Sequence, residues 1–465
     1  MLNMPTSTSM INIDEELCTG CRRCADVCPV DAIEGEQGKP QKINTEKCVM
    51  CGQCIQVCKG YQSVYDDVPT PVSKRLFDRG LLKEVDEPLF AAYNKGQVKS
   101  VKEILQNKDV FKIVQCAPAV RVAIGEDFGM PLGTLSEGKM AAALRKLGFD
   151  KVYDTNFGAD LTIMEEGSEL LKRVAEGGVL PMFTSCCPAW VKYAEQTYPE
   201  LLPHLSSCKS PNQMAGAIFK TYGAEINKVN PAKIYNVSVM PCTCKEFESE
   251  REEMHDSGHR DVDAVITTRE LAQLFKDADI DFNTIEEEQF DTPLGMYTGA
   301  GTIFGATGGV MEAALRTGYE LYTKKTIPSI DLTMVRGGEG FRTAEVDLGD
   351  IRLKVGVVSG LKNVKDVMES VKAGKCDLHF IEVMTCPQGC ISGGGQPKVI
   401  LDSDKEEAYN NRKKGLYNHD ANLTYRKSHE NPEIKKIYDE FLDKPLGAKS
   451  HELLHTKYIS RKKES

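Results

Sequence analysis

Short apolar runs alternate with stretches of helical periodicity between residues 111 and 400. Apolar runs of about four to eight residues are typical of strands buried on both faces, and apolar residues at the helical repeat indicate helices with one buried side. The predicted strands are Phe111–Cys116, Val179–Phe183, Ile234–Met240, Ala264–Thr267, Leu353–Val358 and Leu378–Met384. The predicted helices are Gly138–Leu147, Thr162–Val174, Arg269–Phe275, Val310–Thr317 and Val364–Ala373. Because strands and helices alternate, we expect an α/β domain over residues 111–400, in two lobes, with parallel sheets flanked by helices.

The chain on either side of this domain has a different composition and hydrophobic pattern. Residues 1–68 hold eight of the 17 cysteines and few long apolar runs, which predicts a small domain organised by metal rather than by a large core. Residues 69–110 are polar and include a predicted helical stretch, Val101–Leu105, so we interpret them as a helical connector. Residues 401–465 are charged and predicted to form short helices, one of which starts at Pro432 with Asn431 as its cap.

Composition and charge narrow the possible functions. The chain is 41% hydrophobic and 27% charged, as expected of a soluble globular protein, and its net charge of −10 argues against binding to nucleic acid. No apolar run reaches the roughly 18 residues that indicate a transmembrane helix, so we expect no membrane association. Residues 1–16 lack the basic and apolar segments of a secretion signal, which predicts a cytoplasmic location. Seventeen cysteines in such a chain indicate metal binding rather than a disulfide framework.

Two cysteine runs, Cys18–Cys28 and Cys48–Cys58, have the same spacing: two residues separate the first three cysteines and three precede the fourth. This is the spacing of bacterial ferredoxins, in which the fourth cysteine ligates the other cluster. The expected 4Fe–4S ligands are therefore Cys18, Cys21, Cys24 and Cys58 for one cluster, and Cys48, Cys51, Cys54 and Cys28 for the other. A pair of zinc sites is the alternative, but zinc favours separated two-cysteine knuckles. The runs predict an α+β ferredoxin-like domain that conducts electrons.

The residue after the second run departs from the usual pattern. Pro29 follows Cys28, whereas Lys59 follows Cys58. Because proline fixes its own backbone conformation, we expect Lys59 to alter a turn but not the ligation.

Six further cysteines lie in three short motifs, Thr184–Trp190, Met240–Glu248 and Glu382–Cys390. Each motif directly follows a predicted strand. Ligands of parallel sheets bind beyond the carboxyl ends of the strands, so the three motifs can converge on one buried thiolate site. Such a site would receive the electrons that the two clusters conduct.

The three motifs resemble the signatures of iron-only hydrogenases, and the resemblance extends from Cys18 to Tyr458. That family holds the H-cluster, a 4Fe–4S cube joined through one thiolate to a di-iron unit with CO, cyanide and a bridging azadithiolate. The resemblance implies an oxygen-sensitive enzyme that reversibly reduces protons to H2 with electrons from ferredoxin or flavodoxin, and that depends on maturation proteins. The implied cube ligands are Cys187, Cys242, Cys386 and Cys390, with Cys390 as the bridge to the di-iron unit.

The resemblance also implies roles for residues around the cube. Cys186 corresponds to the thiol that passes protons to the bridging amine, and Lys245 to the residue that hydrogen-bonds a cyanide. The apolar wall and the cyanide-binding loop correspond to Met240, Met384, Pro118 and Ala119.

Three charged residues, Glu166, Glu169 and Arg173, lie on one face of a predicted helix. From the residues alone, this face is most simply a solvated one with an ion pair. The resemblance instead implies a proton path formed by these three residues and Ser206, ending at Cys186. Proton transfer requires ionisable groups at hydrogen-bonding distance from each other.

Three other features have simpler interpretations. His451–His455 has the HExxH pattern of zinc proteases, but the residues after it offer only Glu464 as a third ligand. The surrounding segment, Lys444–Tyr458, resembles instead the hydrogenase small subunit, here fused to the main chain. The glycine-rich stretch Gly299–Gly309 lacks the ending of a phosphate-binding loop, and we expect it to let a helix from Val310 pack near the buried cluster. The remaining residues, expected in the core, are Trp190, Cys116, Cys208, Cys244 and Cys376.

Two other functions of the same superfamily are alternatives. Hydrogen sensors usually carry a signalling domain and often lack the proton-transferring cysteine. Cytosolic iron–sulfur assembly factors resemble hydrogenases in the four cube thiolates but not in Cys186 or in the full proton path. Because the sequence has Cys186 and shows no signalling domain, it favours the hydrogenase.

Overall fold

The computed structural model describes residues 10–58, 61–62, 89–399 and 401–462. The turn predicted at Lys59, residues 69–88 of the predicted connector and Glu464 lie outside these ranges. The domain boundaries at residues 68, 110 and 400 therefore stay predictions.

The N-terminal part contains two copies of one small structural unit. The helices α1 (Arg23–Val27) and α2 (Gln53–Val57) pack against each other, and each ends at the fourth cysteine of its run. Each follows a residue in the left-handed region, Arg22 at φ 63° and Gly52 at φ 73°. The short strands around them are β1 (Ile11–Ile13), β2 (Ile33–Glu34), β3 (Lys42–Ile43), β4 (Tyr61–Gln62), β5 (Leu89–Phe90) and β6 (Ala92–Asn94), paired antiparallel as β1–β6, β2–β3 and β4–β5. The repeated cysteine spacing thus produces a repeated backbone conformation.

The first lobe of the α/β domain contains a four-stranded, entirely parallel sheet. Its strands are β7 (Phe111–Cys116), β8 (Lys151–Asp154), β10 (Ile234–Met240) and β11 (Ala264–Thr267), in the order β11-β10-β7-β8. Three of these strands are confirmed with the predicted bounds. Strand β8 was not predicted, because its apolar part is only Val152 and Tyr153 between charged ends.

The second lobe contains a mixed sheet. Its strands are β9 (Met182–Phe183), β12 (Gly340–Asp347), β13 (Arg352–Ser359) and β14 (Phe380–Met384), in the order β12-β13-β14-β9. Strands β13, β14 and β9 are parallel, whereas β12 is an unpredicted antiparallel edge strand. Exposed residues alternate along β12 with half-buried residues and the buried Val346. The predicted strand Val179–Phe183 is shortened to β9, because Pro181 has no N–H to donate to a sheet.

Helices cover both sheets. They are α3 (Val98–Leu105), α4 (Glu137–Leu147), α5 (Thr155–Glu176), α6 (Pro188–Thr197), α7 (Pro211–Lys220), α8 (Tyr222–Asn227), α9 (Cys244–Ser249), α10 (Thr268–Asp277), α11 (Gly299–Ile303), α12 (Gly309–Thr323) and α13 (Lys365–Lys372). The longest of these, α5, belongs to two cores: Phe157 and Leu161 pack with Ile113 of the first lobe, and Ile163 packs with Phe380 of the second. Helix α5 therefore packs against both lobes.

The C-terminal segment consists of α14 (Lys405–Asn422), α15 (Pro432–Ile437) and α16 (Ala448–Leu454). The predicted helix start at Pro432 is confirmed, and the Asn431 side chain caps it by accepting a hydrogen bond from the Glu433 N–H at 2.9 Å. Among the described residues, no helix is both long and apolar enough to cross a membrane.

A buried ion pair attaches this segment to the second lobe. Arg316 of α12 and Asp420 of α14 have fully buried side chains, and the guanidinium donates to both carboxylate oxygens at 2.9 and 2.8 Å. Glu312 accepts a further hydrogen bond from Arg316 at 2.7 Å.

We predict that Asp420→Ala lowers the free energy of unfolding by about 3 kcal/mol, since removing one partner leaves a buried charge incompletely compensated. Differential scanning calorimetry should show a midpoint lower by several degrees. The matched control is Asp377→Ala, because Asp377 pairs with Lys354 at the surface and its loss should leave the midpoint unchanged. Equal midpoints for Asp420→Ala and the unaltered protein would contradict the structural role of the pair.

Candidate metal centres and proton path

The cysteines of the two N-terminal runs surround two small cavities. One cavity is lined by Cys18, Cys21, Cys24 and Cys58, and the other by Cys28, Cys48, Cys51 and Cys54. Each cavity thus takes three cysteines from one run and the fourth from the other, as the ferredoxin spacing predicts. Paired zinc knuckles would instead group each run with itself.

Backbone N–H groups point at several of these sulfur atoms. Gln41 donates to Cys18 Sγ at 3.4 Å, Ala32 to Cys28 Sγ at 3.2 Å and Met50 to Cys48 Sγ at 3.4 Å. Hydrogen bonds to cluster sulfurs favour the negatively charged thiolate and are among the factors that set cluster potentials.

Burial makes the thiolate form of these cysteines costly in the protein alone. It raises the pKa of Cys24 to about 11 and raises the pKa values of Cys51 and Cys54 further. Neighbouring thiolates also repel each other, and this repulsion raises the same pKa values. Cations placed between the sulfurs remove both costs, so this donor set fits iron–sulfur cubes.

A third, central cavity lies where the carboxyl ends of β9, β10 and β14 meet, and these strands come from both sheets. All ten residues expected at the H-cluster lie around it: Cys186, Cys187, Cys242, Cys386, Cys390, Pro118, Ala119, Met240, Met384 and Lys245. The structure therefore brings the three cysteine motifs together, as their positions after predicted strands indicated.

The thiols of the central cavity are also buried. Burial raises the pKa of Cys242 to about 12 and raises those of Cys386 and Cys390 more strongly. Lys245 contributes a positive charge beside them, and its Nζ donates to the Cys186 carbonyl oxygen at 3.1 Å and to Glu248 Oε2 at 2.9 Å. Four thiols and one lysine at a largely apolar cavity fit an anionic iron–sulfur group.

The glycine-rich stretch forms part of the same cavity wall. Phe304 and Gly305 line the cavity, and α12 starts at Gly309, one residue before the predicted start at Val310. Gly389 has φ 95°, and a Cβ on it would lie 2.5 Å from the Thr307 nitrogen. This close approach requires glycine beside Cys390.

One buried carboxylate in this wall was missed by the sequence analysis. Glu382 of β14 accepts hydrogen bonds from the N–H groups of Gly308 and Met311, both at 2.7 Å. Burial raises its pKa to about 7. Glu382 lies within the third cysteine motif. The sequence of that motif does not show whether this side chain binds the start of a helix, as it does here, or faces the cluster.

The second N-terminal cavity adjoins the central one. A Cβ on Gly52 would lie 2.6 Å from Thr243 Oγ1 and 2.8 Å from the Gly394 Cα, so the two cysteine loops are in backbone contact. Thr243 Oγ1 donates to the Met50 carbonyl oxygen at 2.7 Å, and Lys192 Nζ donates to the Cys48 carbonyl oxygen at 2.5 Å. The three consecutive glycines Gly393–Gly395 indicated a close backbone contact from the sequence alone. Nothing in the sequence indicated the contact made by Lys192.

The two acids of the predicted proton path, Glu166 and Glu169, lie on a buried face of α5, not on a solvated one. Glu166 is fully buried and Glu169 is 9% exposed. The ion pair between Arg173 and Glu169 is present, as the simpler interpretation expected. Ser206 Oγ donates to Glu169 Oε2 at 3.1 Å. Four predicted residues are thus brought together behind Cys186.

Glu166 stands out among them because its carboxyl oxygens lack hydrogen bonds of good geometry to the described residues. Burial, and then the nearby charge of Glu169, raise its pKa to about 8, although the Ser206 hydroxyl and the Ser185 N–H lie close enough to lower the pKa in part. Glu166 is therefore neutral at pH 7. Burial and the proximity of Glu166 also raise the pKa of Cys186, so this thiol retains its proton.

The other residues singled out in the sequence occupy different surroundings. Trp190 is fully buried and donates to the Thr184 carbonyl oxygen at 3.1 Å. Cys116, Cys208 and Cys244 are fully buried, whereas Cys376 is half-buried, contrary to expectation. Of the two histidines of the HExxH pattern, His451 is exposed and His455 is buried.

Three parts of the chain match known protein families. Residues 111–394 match the C-terminal domain of the iron only hydrogenase large subunit, and residues 406–461 match the iron hydrogenase small subunit. Residues 10–59 match a 4Fe-4S dicluster domain.

Individual relatives agree with these matches. The chain is 42% identical over 447 residues to iron hydrogenase 1 of Clostridium pasteurianum, covering 92% of this chain and 78% of that protein. It is 46% identical over 425 residues to the large subunit of the periplasmic iron hydrogenase of Nitratidesulfovibrio vulgaris, covering 90% of this chain and 94% of that one. A cytosolic Fe-S cluster assembly factor of Danio rerio is more distant, at 30% identity over 77% of this chain and 88% of that protein.

Solved structures agree as well. The [FeFe]-hydrogenase HydA1 of Chlamydomonas reinhardtii superposes with a TM-score of 0.70 at 42% identity, covering 79% of this chain and 99% of that one. Because the hydrogenase match spans residues 111–394 and two hydrogenases share 42% and 46% identity with nearly the whole length, the chain belongs to the iron-only hydrogenase family.

Proposed function

We propose that the central cavity holds the H-cluster through Cys187, Cys242, Cys386 and Cys390, and that the protein reversibly reduces protons to H2. The observation that carries this proposal is the meeting of all three cysteine motifs at one cavity, with Cys186 and Lys245 beside them. When bound, the H-cluster supplies the redox chemistry that combines two protons and two electrons.

The residues of the chain supply protons and exclude water. In the proposed path, protons pass from Arg173 and Glu169 through Ser206 to Glu166 and then to Cys186. Glu166 and Cys186 are suited to this role because both are neutral at pH 7 and can release a proton and regain it. Lys245 balances negative charge at the cavity, and the apolar side chains of Met240, Met384, Pro118 and Ala119 keep it dry.

Electrons enter, in this proposal, at the cavity of Cys18, Cys21, Cys24 and Cys58. Cys21 is the exposed member of that set. In this proposal, the side of the cavity at Cys21 faces the electron partner. The second cavity then connects to the central one through the contact between Gly52 and Gly394. We propose a soluble ferredoxin or flavodoxin as the electron partner, maturation proteins for cofactor insertion, and the cytoplasm as the location.

The assembly-factor alternative shares the cube ligands but not the proton path. Here Cys186 lies at the cavity, and Glu166, Glu169 and Ser206 are buried behind it. A protein that only holds a cube has no use for a buried, neutral carboxyl group such as that of Glu166 beside a thiol. This arrangement therefore favours proton chemistry.

Infrared spectroscopy tests the proposed cofactor directly. Protein produced anaerobically with maturation factors should show sharp CO and cyanide stretching bands, which lie apart from the bands of the protein itself. The same chain produced without maturation factors is the control and should lack them. Fully matured protein without these bands would rule out the H-cluster and favour the assembly factor.

The proposed proton donor is tested by Cys186→Ala. H2 evolution from reduced viologen should fall by roughly 10²-fold or more, the usual effect of removing a proton-transfer group. Iron content and infrared bands should be retained, because Cys186 is not among the proposed ligands. Cys376→Ala, which removes a half-buried thiol outside the central cavity, is the matched control. Normal turnover in Cys186→Ala would refute its proposed role.

Glu166 should give the enzyme a pH dependence. Its pKa is raised from 4.5 to about 8, so it is protonated below about pH 8 and loses this proton above it. We expect the rate of H2 evolution at constant driving force to fall as pH rises through about 8. Glu166→Gln should be nearly inactive at every pH, whereas Glu176→Gln, at the exposed end of α5, should resemble the unaltered enzyme. An active Glu166→Gln enzyme would exclude Glu166 from the path.

The raised pKa of Glu166 also makes the free energy of unfolding depend on pH. Between pH 4.5 and about 8 the folded protein binds a proton at Glu166 that the unfolded chain releases. The contribution of Glu166 to the free energy of unfolding therefore decreases as pH rises across this window.

A further inference from the structure

The C-terminal segment places a buried imidazole against the proposed proton path. His455 follows α16 directly and is 6% exposed. Its Nδ1 lies 2.8 Å from Ser207 Oγ, and its Nε2 lies 3.0 Å from Glu165 Oε2. Ser207 Oγ in turn donates to Glu169 Oε2 at 3.0 Å. A continuous chain of hydrogen bonds thus joins His455 to the outer acid of the path.

The hydrogens on this chain define a possible proton transfer. Ser207 Oγ has one hydrogen, so when it donates to Glu169 it must accept from His455 Nδ1–H. Transfer breaks the His455 Nδ1–H bond and forms a bond from that proton to Ser207 Oγ. The original Ser207 proton moves to Glu169 Oε2 at the same time. One proton passes from imidazole to carboxylate and the hydroxyl is regenerated.

The two ring nitrogens of His455 each face an oxygen atom, Nδ1 that of Ser207 and Nε2 that of Glu165. Glu165 is fully buried, and one of its oxygens faces His455 Nε2 while the other accepts from the Tyr438 hydroxyl. A carboxylate on one side and a proton acceptor on the other are therefore suited to a group that gains and loses a proton in each cycle.

His451 lies beside His455 at the surface, in contact with its ring. Its ring is exposed, and its centroid lies 4.4 Å from that of His455. Partial burial, and then the proximity of His455, lower the pKa of His451.

We propose that His455 is a second proton inlet to Glu169, with Ser207 as the relay and His451 as the outer group. The inference rests on the proposed proton path and adds to it a branch from the C-terminal segment. The titratable and charged groups facing this branch are Glu165, Glu169, Cys208, Tyr438 and Lys172. With two inlets, protons reach Glu169 both from the side of Arg173 and from the side of His455.

The chain offers a matched control for this proposal. His429 is also held between a hydroxyl and a glutamate, with Nδ1 3.2 Å from Thr317 Oγ1 and Nε2 3.0 Å from Glu320 Oε2. It also belongs to the C-terminal segment, but its partners are not residues of the proposed path. His429→Gln removes the same chemistry away from Glu169.

The experiment compares His455→Gln, His429→Gln and Glu169→Gln with the unaltered holoenzyme, by viologen-coupled H2 evolution and oxidation between pH 5 and 9. Because the Arg173 side remains open, His455→Gln should lower turnover by about tenfold, less than the roughly 10²-fold expected for a sole proton-transfer group. It should also change the pH profile and raise the solvent isotope effect. His429→Gln should leave all three unchanged. Imidazole in the buffer should restore part of the turnover of His455→Ala.

The outcomes separate the two proposals. Unaltered turnover, pH profile and isotope effect in His455→Gln, together with an impaired Glu169→Gln, would overturn the branch and keep the main path. Full activity in Glu169→Gln would overturn the path itself. A loss in His455→Gln with a lower unfolding midpoint and no rescue of His455→Ala by imidazole would assign His455 a structural role only, and would also overturn the branch.

Discussion

The cost of burying cysteine thiolates is the constraint on which the rest of this structure depends. Burial raises the pKa values of Cys51, Cys54 and Cys386, and each neighbouring sulfur adds to the effect. In the family to which the chain belongs, iron supplies the compensating charge, and it requires donors in sets of four. The local structure serves this requirement: two short helices present the N-terminal sets, and the ends of three strands from two sheets present the central one.

Helix α5 connects the central site to solvent while remaining part of both cores. Phe157 and Leu161 face one lobe, Ile163 faces the other, and Glu166 and Glu169 occupy the remaining face. A buried carboxyl group in such a position is either paired or neutral. Glu169 is paired with Arg173 and Ser206, whereas Glu166 is neutral at pH 7 because it lacks a comparable partner. The difference between the two acids suits the outer one to exchange with solvent and the inner one to hold a proton next to Cys186.

The C-terminal segment is joined to the α/β domain by several buried polar contacts. Arg316 and Asp420 join it to α12, and His455 and Glu165 join it to α5. Asp160 of α5 accepts hydrogen bonds from Ser428 and Asn431 of the same segment, at 2.7 and 3.0 Å. These contacts are charged or polar and buried, so each is costly to break on one side only. The segment therefore fixes the outer face of α5, along which the proposed proton path runs.

The sequence by itself determined the donor groups and most of the strands around them. Cysteine spacing on a short loop limits which thiols can share one cavity, and the structure groups Cys18, Cys21, Cys24 and Cys58 as the spacing predicted. The strands β7, β10 and β11 kept their predicted bounds because uninterrupted apolar runs have few alternatives in a buried parallel sheet. The resemblance then extended the prediction to the residues around the central cavity, whose roles stay a proposal.

Only the tertiary structure decided the rest, because it depends on contacts between distant residues. Whether the face of Glu166 and Glu169 meets solvent or protein is set by what packs on it, and the helical spacing is the same in both cases. The edge strand β12 pairs antiparallel with β13. The alternation of side chains along a strand does not by itself say whether its partner runs parallel or antiparallel. His455 meets Glu165 across 290 residues of sequence, so a pattern typical of zinc sites became a buried imidazole beside the proposed proton path.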